Sequence, residues 1–109
     1  MNDPAAILRR LGEIDEDLAN RQNDFAKAAG DKARLVREVD YAEAVAYAGA
    51  PGNTTDRRAA AKARVGASQE YKDLTAAEAA YDAAKAAVGV LTTRASIGQT
   101  LLRTLREAA

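Results

Sequence analysis

The sequence of 109 residues contains no cysteine, no histidine and no tryptophan. Without cysteine and histidine, disulfide frameworks, thiol nucleophiles, imidazole bases and the common zinc sites are excluded. No apolar run approaches the roughly 20 residues that cross a bilayer. The first residues, Met1 to Pro4, lack the basic and apolar segments of a signal peptide. We therefore expect a cytoplasmic protein with no cofactor, no bound metal and no membrane partner.

An excess of charge of one sign is also missing, because 16 basic side chains face 16 acidic ones. This balance excludes the polybasic composition of a protein that coats nucleic acid, although local patches can still bind phosphate. Aromatic residues make up only 5% of the chain, whereas alanine alone accounts for 28 residues. Such thin apolar surface disfavours a deep core, and the helix propensity of alanine favours long helices. The length fits a single domain, residues 1–109.

The first half of the chain predicts one long helix, residues 4–48. Asp3 is a favoured N-cap and Pro4 fits the first helical position. Apolar residues then recur at alternating steps of four and three, which is the pattern of a coiled-coil seam. Only Arg21 and Lys32 interrupt this register. The apolar seam positions are Ile7, Leu11, Ile14, Leu18, Phe25, Ala28, Leu35, Val39, Ala42 and Ala46. The unbroken register favours continuity through Gly30, and whether Gly30 acts as a hinge stays open.

A turn is predicted at residues 49–54. Gly49 can adopt the left-handed C′ conformation, and Pro51 cannot continue a helix. Thr54, Thr55 and Asp56 supply the next N-cap and a first-turn carboxylate.

A second helix, residues 55–107, has its own seam: Ala60, Ala63, Ala67, Glu70, Leu74, Ala77, Tyr81, Ala84, Val88, Leu91, Ala95, Gly98, Leu102 and Leu105. Folding back at the turn places Ile14 beside Val90 and Ile7 beside Ile97. The predicted fold is all-α, a long antiparallel helical hairpin resembling a coiled coil. Gly66 raises the same open question of a hinge as Gly30. Gly98 indicates either a close approach of another helix or a weak point in the last turns.

A hairpin of two helices buries little surface, and small chains of this kind usually oligomerise to offset chain entropy. Several apolar residues lie outside the main seams and widen the apolar stripes. We therefore expect a homo-oligomer, or a hairpin that docks on a partner. The candidate interface residues are Leu8, Val36, Val45, Val90, Ile97 and Leu101, with Val65 as a further residue outside the seam.

The basic residues form two clusters. One lies at the start of the second helix and consists of Arg57, Arg58, Lys62 and Arg64; the other lies in the last stretch and includes Arg94, Arg103 and Arg106. Hydroxyl side chains at Thr92, Thr93, Thr100 and Thr104 accompany the second cluster. Arginine together with hydroxyl groups suits phosphate oxygens, and these residues are the candidate nucleic-acid contacts.

Three tyrosines near the turn, Tyr41, Tyr47 and Tyr71, have two open interpretations. They can stack on the bases of a single strand, or they can fill gaps in an alanine-rich seam.

Catalysis is not expected. The spacing of Glu78, Asp82 and Lys85 along one helix face predicts ion pairs between the two carboxylates and the lysine. A thin hairpin also offers no pocket that shifts a pKa for acid–base work. No phosphate-binding glycine loop, metal-ligand cluster or hydrolase motif is present in the sequence.

The order of features resembles that of a known family. An N-terminal coil with charged seam breaks leads to a Tyr-Ala repeat at residues 41–48, a short glycine-containing loop and a basic Thr-Asp-Arg-Arg helix start. The chain closes on Ser-Ile-Gly-Gln-Thr-Leu-Leu-Arg-Thr-Leu-Arg. This layout is similar to that of small helical phage proteins that are encoded with recombination genes. Among these proteins it resembles the UvsY-type recombination mediators. The resemblance implies a ring-forming oligomer that binds single-stranded DNA and helps to load a recombinase, with both basic clusters contacting the DNA.

A second interpretation is a non-enzymatic helical adaptor whose apolar stripe engages a host or phage protein. The acidic residues Asp15 to Asp17 and Asp24 would then select the partner electrostatically. The two interpretations differ in whether nucleic acid is bound at all.

Overall fold

The computed structural model describes residues 3–108; Met1, Asn2 and Ala109, which the predicted domain includes, lie outside the described residues. Three helices follow one another: α1 (Pro4–Gly49), α2 (Thr54–Gly66) and α3 (Gln69–Ala108). Residues 3–108 contain no strand. The fold is an all-α, coiled-coil-like helical hairpin, which confirms the predicted fold class. Within the helices of residues 3–108, no segment is long and apolar enough to span a membrane.

Helix α1 begins where the sequence predicts it. The Asp3 carboxylate accepts a hydrogen bond from the Ala5 backbone N–H at 3.2 Å, so Asp3 is the N-cap. The helix continues through Gly30 without interruption, and a Cβ added at this glycine would meet no packed neighbour within 4 Å. Ile14, Leu35 and Val39 of the predicted seam are buried. The heptad pattern therefore identified the face of α1 that packs.

The two charged interruptions of the α1 seam behave differently. Lys32 is half-buried, and its Nζ lies 4.3 Å from the centre of the Tyr81 ring. A cation over an aromatic face is attracted by the ring quadrupole, which accounts for a lysine at a seam position. Arg21 instead stays exposed and its guanidinium lies 3.7 Å from the Asp24 carboxylate.

The turn differs from the prediction in both of its caps. Gly49 is the last residue of α1 and does not adopt the left-handed conformation; in residues 3–108 the residue with positive φ is Gly52, at 99°. The N-cap of α2 is Asn53 rather than Thr54, because the Asn53 side chain accepts from the Asp56 N–H at 2.9 Å. Asp56 does lie in the first turn, where a carboxylate favours the helix dipole.

The predicted second helix, residues 55–107, is wrong as a single element, because it is interrupted between Gly66 and Gln69. The Val65 carbonyl accepts from the N–H groups of Ala67 and Ser68 and from the Ser68 hydroxyl. The Ser68 Oγ then accepts from the Tyr71 N–H at 3.3 Å and caps α3. Serine competes for local backbone groups in this way, which ends one helix and begins the next.

The interruption also shifts the heptad register. In α3 the predicted positions Leu74, Leu91, Ala95 and Leu102 are buried. In α2 the predicted positions Ala60 and Ala63 are exposed, and the buried residues are Ala61 and Val65. Ala67, the C-cap of α2, and Glu70, at the start of α3, are exposed as well. The seam prediction is therefore correct for most of α3 and wrong for α2. The predicted register of α2 was continuous with that of α3 through Leu74, and this continuity requires an unbroken helix.

The chain divides into two compact units, finer than the single domain that its length predicts. Among the described residues, unit 1 comprises residues 3–26 and 83–108, and unit 2 comprises Lys27–Asp82. In unit 1, Ile14 of α1 packs with Leu91 and Ala95 of α3. In unit 2, a separate core joins residues of all three helices: Leu35, Val39, Val65 and Leu74.

Candidate nucleic-acid interface

Arg57, the first candidate of the α2 cluster, is engaged by the turn. Its Nε donates to the Tyr47 carbonyl at 3.2 Å and its Nη2 donates to the Ala48 carbonyl at 3.0 Å. The guanidinium carbon also lies 4.8 Å from the centre of the Tyr47 ring. The last carbonyls of a helix have no partner within the helix, so Arg57 takes the place of the glycine C-cap that was predicted. This geometry gives Arg57 and Tyr47 a role in closing the turn.

The other three cations of α2 do not form one patch. Arg58 lines a groove with Asp40, Glu43 and Tyr47. Arg64 lines a different groove, with Tyr41 and Val45. Lys62 is exposed and lies one helical turn after Arg58. Closeness in sequence therefore did not predict which cations share a surface. Residues 58 and 64 lie on opposite sides of the α2 stripe that packs on α1.

The groove beside Arg64 brings a cation and an aromatic ring together. Its floor is formed by Ala42, Ala46 and Val65, and its rim by Glu38, Tyr41, Val45, Arg64, Ser68 and Glu70. The Tyr41 side chain is 73% exposed, which makes its ring accessible to a ligand. Glu38 is held by Arg34 of its own helix, with 3.0 Å between Arg34 Nη1 and Glu38 Oε1. We call this site the Tyr41 groove.

Tyr71, the third predicted stacking residue, is 46% exposed and lies outside the lining of the Tyr41 groove. The three tyrosines therefore separate in the structure: Tyr41 presents an open ring, Tyr47 stacks on Arg57, and Tyr71 lies on the first turn of α3. Sequence reasoning could not divide them, because the contacts of each ring depend on residues that are distant along the chain.

The second basic cluster lies on the α3 part of unit 1. Arg103 and Arg106 are exposed, and Arg94 is exposed between two grooves that it lines together with residues of α1. The hydroxyls of Thr92, Thr93 and Thr104 donate to the carbonyls of Val88, Gly89 and Thr100 in their own helix. These three hydroxyl protons are used internally, so the threonines are not the phosphate donors that the sequence suggested.

Ion pairs distinguish α1 from the other two helices. Among residues 3–108 the ion pairs join Arg10 to Glu13, Arg21 to Asp24, Lys27 to Asp31 and Arg34 to Glu38, all within α1. In the same part of the chain, none of the candidate cations of α2 and α3 forms one. The predicted pairing of Glu78 and Asp82 with Lys85 is wrong, because no ion pair joins these three described residues. The chain is neutral as a whole, but its cations without a carboxylate partner are concentrated on α2 and α3. Such cations can bind phosphate without first breaking an ion pair.

The predicted interface residues remain solvent-accessible within this chain. Leu8, Val36, Val45, Val90 and Ile97 are exposed and Leu101 is half-buried. Ile97 and Leu101 line one groove of unit 1 and Val90 lines the next. Leu8 lies in unit 1 outside both grooves, and Val36 and Val45 belong to unit 2. The six residues therefore do not form one continuous surface, and three of them share one side of α3.

Gly98 is a close-approach position. A Cβ at this residue would lie 2.7 Å from Cδ2 and 3.3 Å from Cγ of Leu11. The first of the two interpretations of this glycine, a close approach of another helix, is the one that the packing of α1 on α3 supports.

Within residues 3–108, no group of three or more acidic side chains is arranged to hold a metal ion. Comparison of the chain with protein-family models, with curated protein sequences and with solved structures finds no match.

Proposed function

We propose that this chain is a non-enzymatic accessory protein of phage recombination or replication. In this proposal it binds single-stranded DNA as an oligomer in the host cytoplasm and assists the loading of a recombinase. The likeness in layout to the UvsY-type mediators suggests the pathway. The Tyr41 groove carries the argument for the ligand.

The Tyr41 groove combines the two elements that single-strand binders use. Base stacking on an aromatic ring is sequence-tolerant, and a neighbouring cation holds the backbone phosphate. Tyr41 supplies an exposed ring and Arg64 supplies a cation without an ion-pair partner among residues 3–108. A duplex keeps its bases stacked on each other, so it gains nothing from the ring. The groove therefore favours a single strand over a duplex.

Further phosphate contacts are assigned to cations outside the groove. Arg58 and Lys62 in unit 2 and Arg103 and Arg106 in unit 1 are exposed. Phosphate contacts of this kind add affinity without sequence specificity. Arg57 is left out of the contact set because its guanidinium closes the turn.

The test is the anisotropy of a fluorescent single-stranded oligonucleotide titrated with wild-type protein and with Tyr41→Ala. Stacking contributes about 1–3 kcal/mol per base, so the variant is expected to bind at least about fivefold more weakly. Tyr71→Ala is the matched control, since it removes an exposed tyrosine outside the groove. Equal affinity of wild type and Tyr41→Ala would contradict the stacking role.

The cation is tested by a second pair of variants. Arg64→Ala is expected to make the slope of log K against log salt shallower by about 0.7, the value for one lost single-strand phosphate contact. Arg9→Ala removes the same charge from an exposed position of α1 that lines none of the grooves described above. An equal change of slope in both variants would show that the effect is one of net charge and not of the groove.

A helical adaptor is the second candidate, favoured by the apolar part of the same groove. Val45 is 54% exposed beside Tyr41, and an amphipathic helix of another protein can lie in such a groove. If this is the function, the chain binds no oligonucleotide at low salt. Val45→Asp would then abolish the capture of a protein that the wild type retains in a pull-down.

A further inference from the structure

Helix α3 carries two apolar stripes side by side. The first faces α1 and contains the buried Leu91, Ala95 and Leu102. The second is displaced by one helix position and has the same alternating steps of three and four; its members are Ala87, Val90, Arg94, Ile97 and Leu101. Ile97 is 62% exposed and Val90 is 50% exposed. One heptad stripe is what a single neighbouring helix covers, so a second stripe indicates a second neighbour.

The second stripe borders a groove on unit 1 that α1 completes. Near the chain ends the groove is apolar, with Ile7, Leu11 and Ile14 facing Ile97 and Leu101. Farther along, the α1 rim is polar, with Asp17, Asn20, Arg21 and Asp24 opposite Val90. Arg21 pairs with Asp24 at 3.7 Å, so Asp17 is the carboxylate of this rim that has no ion-pair partner among residues 3–108. Arg94 lines both parts and forms no ion pair with any of residues 3–108. A helix that fits here must offer apolar side chains on both sides of a cation that can face Asp17.

The second stripe of α3 itself has this pattern. Counted from Arg94, apolar residues lie four and seven positions before it and three and seven positions after it. The stripe therefore reads almost the same in both directions. When two copies lie antiparallel about Arg94, apolar residues meet apolar residues on both sides of the two arginines. A two-fold interface of this kind is self-complementary, as closed dimers require.

We propose that the second stripe of α3 is a two-fold interface between two copies of this chain. Each α3 lies antiparallel against the other, in the groove between α1 and α3 of unit 1, and the four segments form a four-helix bundle. Arg94 of one copy faces Asp17 of the other. The two Asp17 carboxylates offset the repulsion between the two arginines, which lie close to the two-fold axis.

This inference rests on the proposed function only in that both describe an oligomer, and it changes the role of one residue. Arg94, which the sequence places among the nucleic-acid contacts, becomes an interface residue. Arg103 and Arg106 remain available for phosphate at the end of α3. The interface contains no nucleic acid, so it is tested with the protein alone.

The experiment is sedimentation equilibrium of the full chain at micromolar concentrations in the absence of DNA. Wild type is expected at twice the chain mass of 11.5 kDa. Ile97→Asp buries an unpaired charge in the interface and is expected to raise the dimer Kd at least about tenfold. Val36→Asp is the matched control, because it places the same charge at an exposed apolar residue of unit 2 that lines none of the described grooves, and it should leave the mass unchanged. Both residues are exposed in the single chain, so circular dichroism should show unchanged helix content.

A charge-swap pair tests the antiparallel register. Arg94→Glu alone is expected to weaken the dimer, because the new carboxylate faces Asp17 of the other copy. Adding Asp17→Arg to that variant should restore part of the affinity, since the new pair has opposite charges. A monomeric wild type, which would leave the groove to another ligand, overturns the proposal. A mass above two chains, an unaffected Ile97→Asp dimer or the absence of rescue overturns it as well. If the wild type forms the dimer but does not bind a single-stranded oligonucleotide, the proposed function is contradicted and the dimer proposal stands.

Discussion

Replacing Gly98 by alanine is predicted to have the opposite effect to replacing Gly89, although both residues lie inside α3. A Cβ at Gly98 would lie 2.7 Å from Leu11 Cδ2, a distance that real Cβ contacts do not show. A Cβ at Gly89 meets no packed neighbour within 4 Å. The two substitutions thus add the same methyl group to the same helix, once against a packed side chain and once in open space.

The size of the difference follows from two opposing contributions. Alanine is about 1 kcal/mol more favourable than glycine in a helix interior, and both variants gain this amount. Overpacking costs about 1–3 kcal/mol, and only Gly98→Ala incurs it. Gly89→Ala is therefore expected to raise the free energy of unfolding by about 1 kcal/mol. Gly98→Ala should change it by between zero and a loss of about 2 kcal/mol.

Thermal unfolding followed by circular dichroism at 222 nm (the far-ultraviolet helix signal) measures both variants under the same conditions. A change of 1 kcal/mol shifts Tm by about 4 °C for a chain of this size. Gly89→Ala should melt about 4 °C above wild type, and Gly98→Ala at or below wild type. An equal rise of Tm in both variants would contradict the overpacking cost at Gly98, because it would show that the Leu11 side chain moves aside for the added methyl group.

Three further predictions concern stability and are measured by urea unfolding. Ser68→Ala removes the N-cap of α3 and should cost about 1 kcal/mol, whereas Ser68→Asp, which keeps a capping oxygen, should cost much less. Arg57→Ala removes two hydrogen bonds to the end of α1 and should lower the free energy of unfolding by about 1–3 kcal/mol. The control Arg58→Ala should stay within about 0.5 kcal/mol of wild type. Equal losses of stability in the two variants would contradict the capping role of Arg57. Leu102→Asp places a charge at a buried position and should cost more than about 3 kcal/mol, so an unchanged transition would refute the register of α3.

The heptad pattern predicted most of the fold because it depends on local spacing. The apolar steps of α1 continue through Gly30, and the same positions are those that pack in the structure. The steps of α3 from Leu74 onward were predicted equally well. A periodic pattern over several heptads identifies a helix face without knowledge of what covers it.

The differences arise where one side chain competes with a regular pattern. Ser68 binds the Val65 carbonyl and divides the predicted second helix, which shifts the register of α2. Alanine is frequent in α2, so several registers fit its sequence and the pattern gives no warning of the shift. Ser68, two residues after Gly66, was the signal in the sequence for a helix end.

The sequence predicted that arginines and tyrosines form the candidate site, but it did not predict which of them lie together in the structure. Arg57 was predicted as a phosphate contact, yet it reaches back to the carbonyls of Tyr47 and Ala48. Tyr41 and Arg64 line one groove from two different helices, and this placement has no signature in the sequence. Which of several tyrosines and arginines meet depends on helix rotation, and a register error of one residue changes the answer.

The most direct test of the account is the affinity of the wild-type chain for a single-stranded oligonucleotide at about 50 and 200 mM salt, with a duplex of the same sequence as control. Phosphate contacts by Arg58, Lys62, Arg64, Arg103 and Arg106 predict a slope of log K against log salt of about −3.5 and tighter binding of the single strand. Absence of binding at the lower salt concentration, or equal binding of single strand and duplex, would contradict the proposed function.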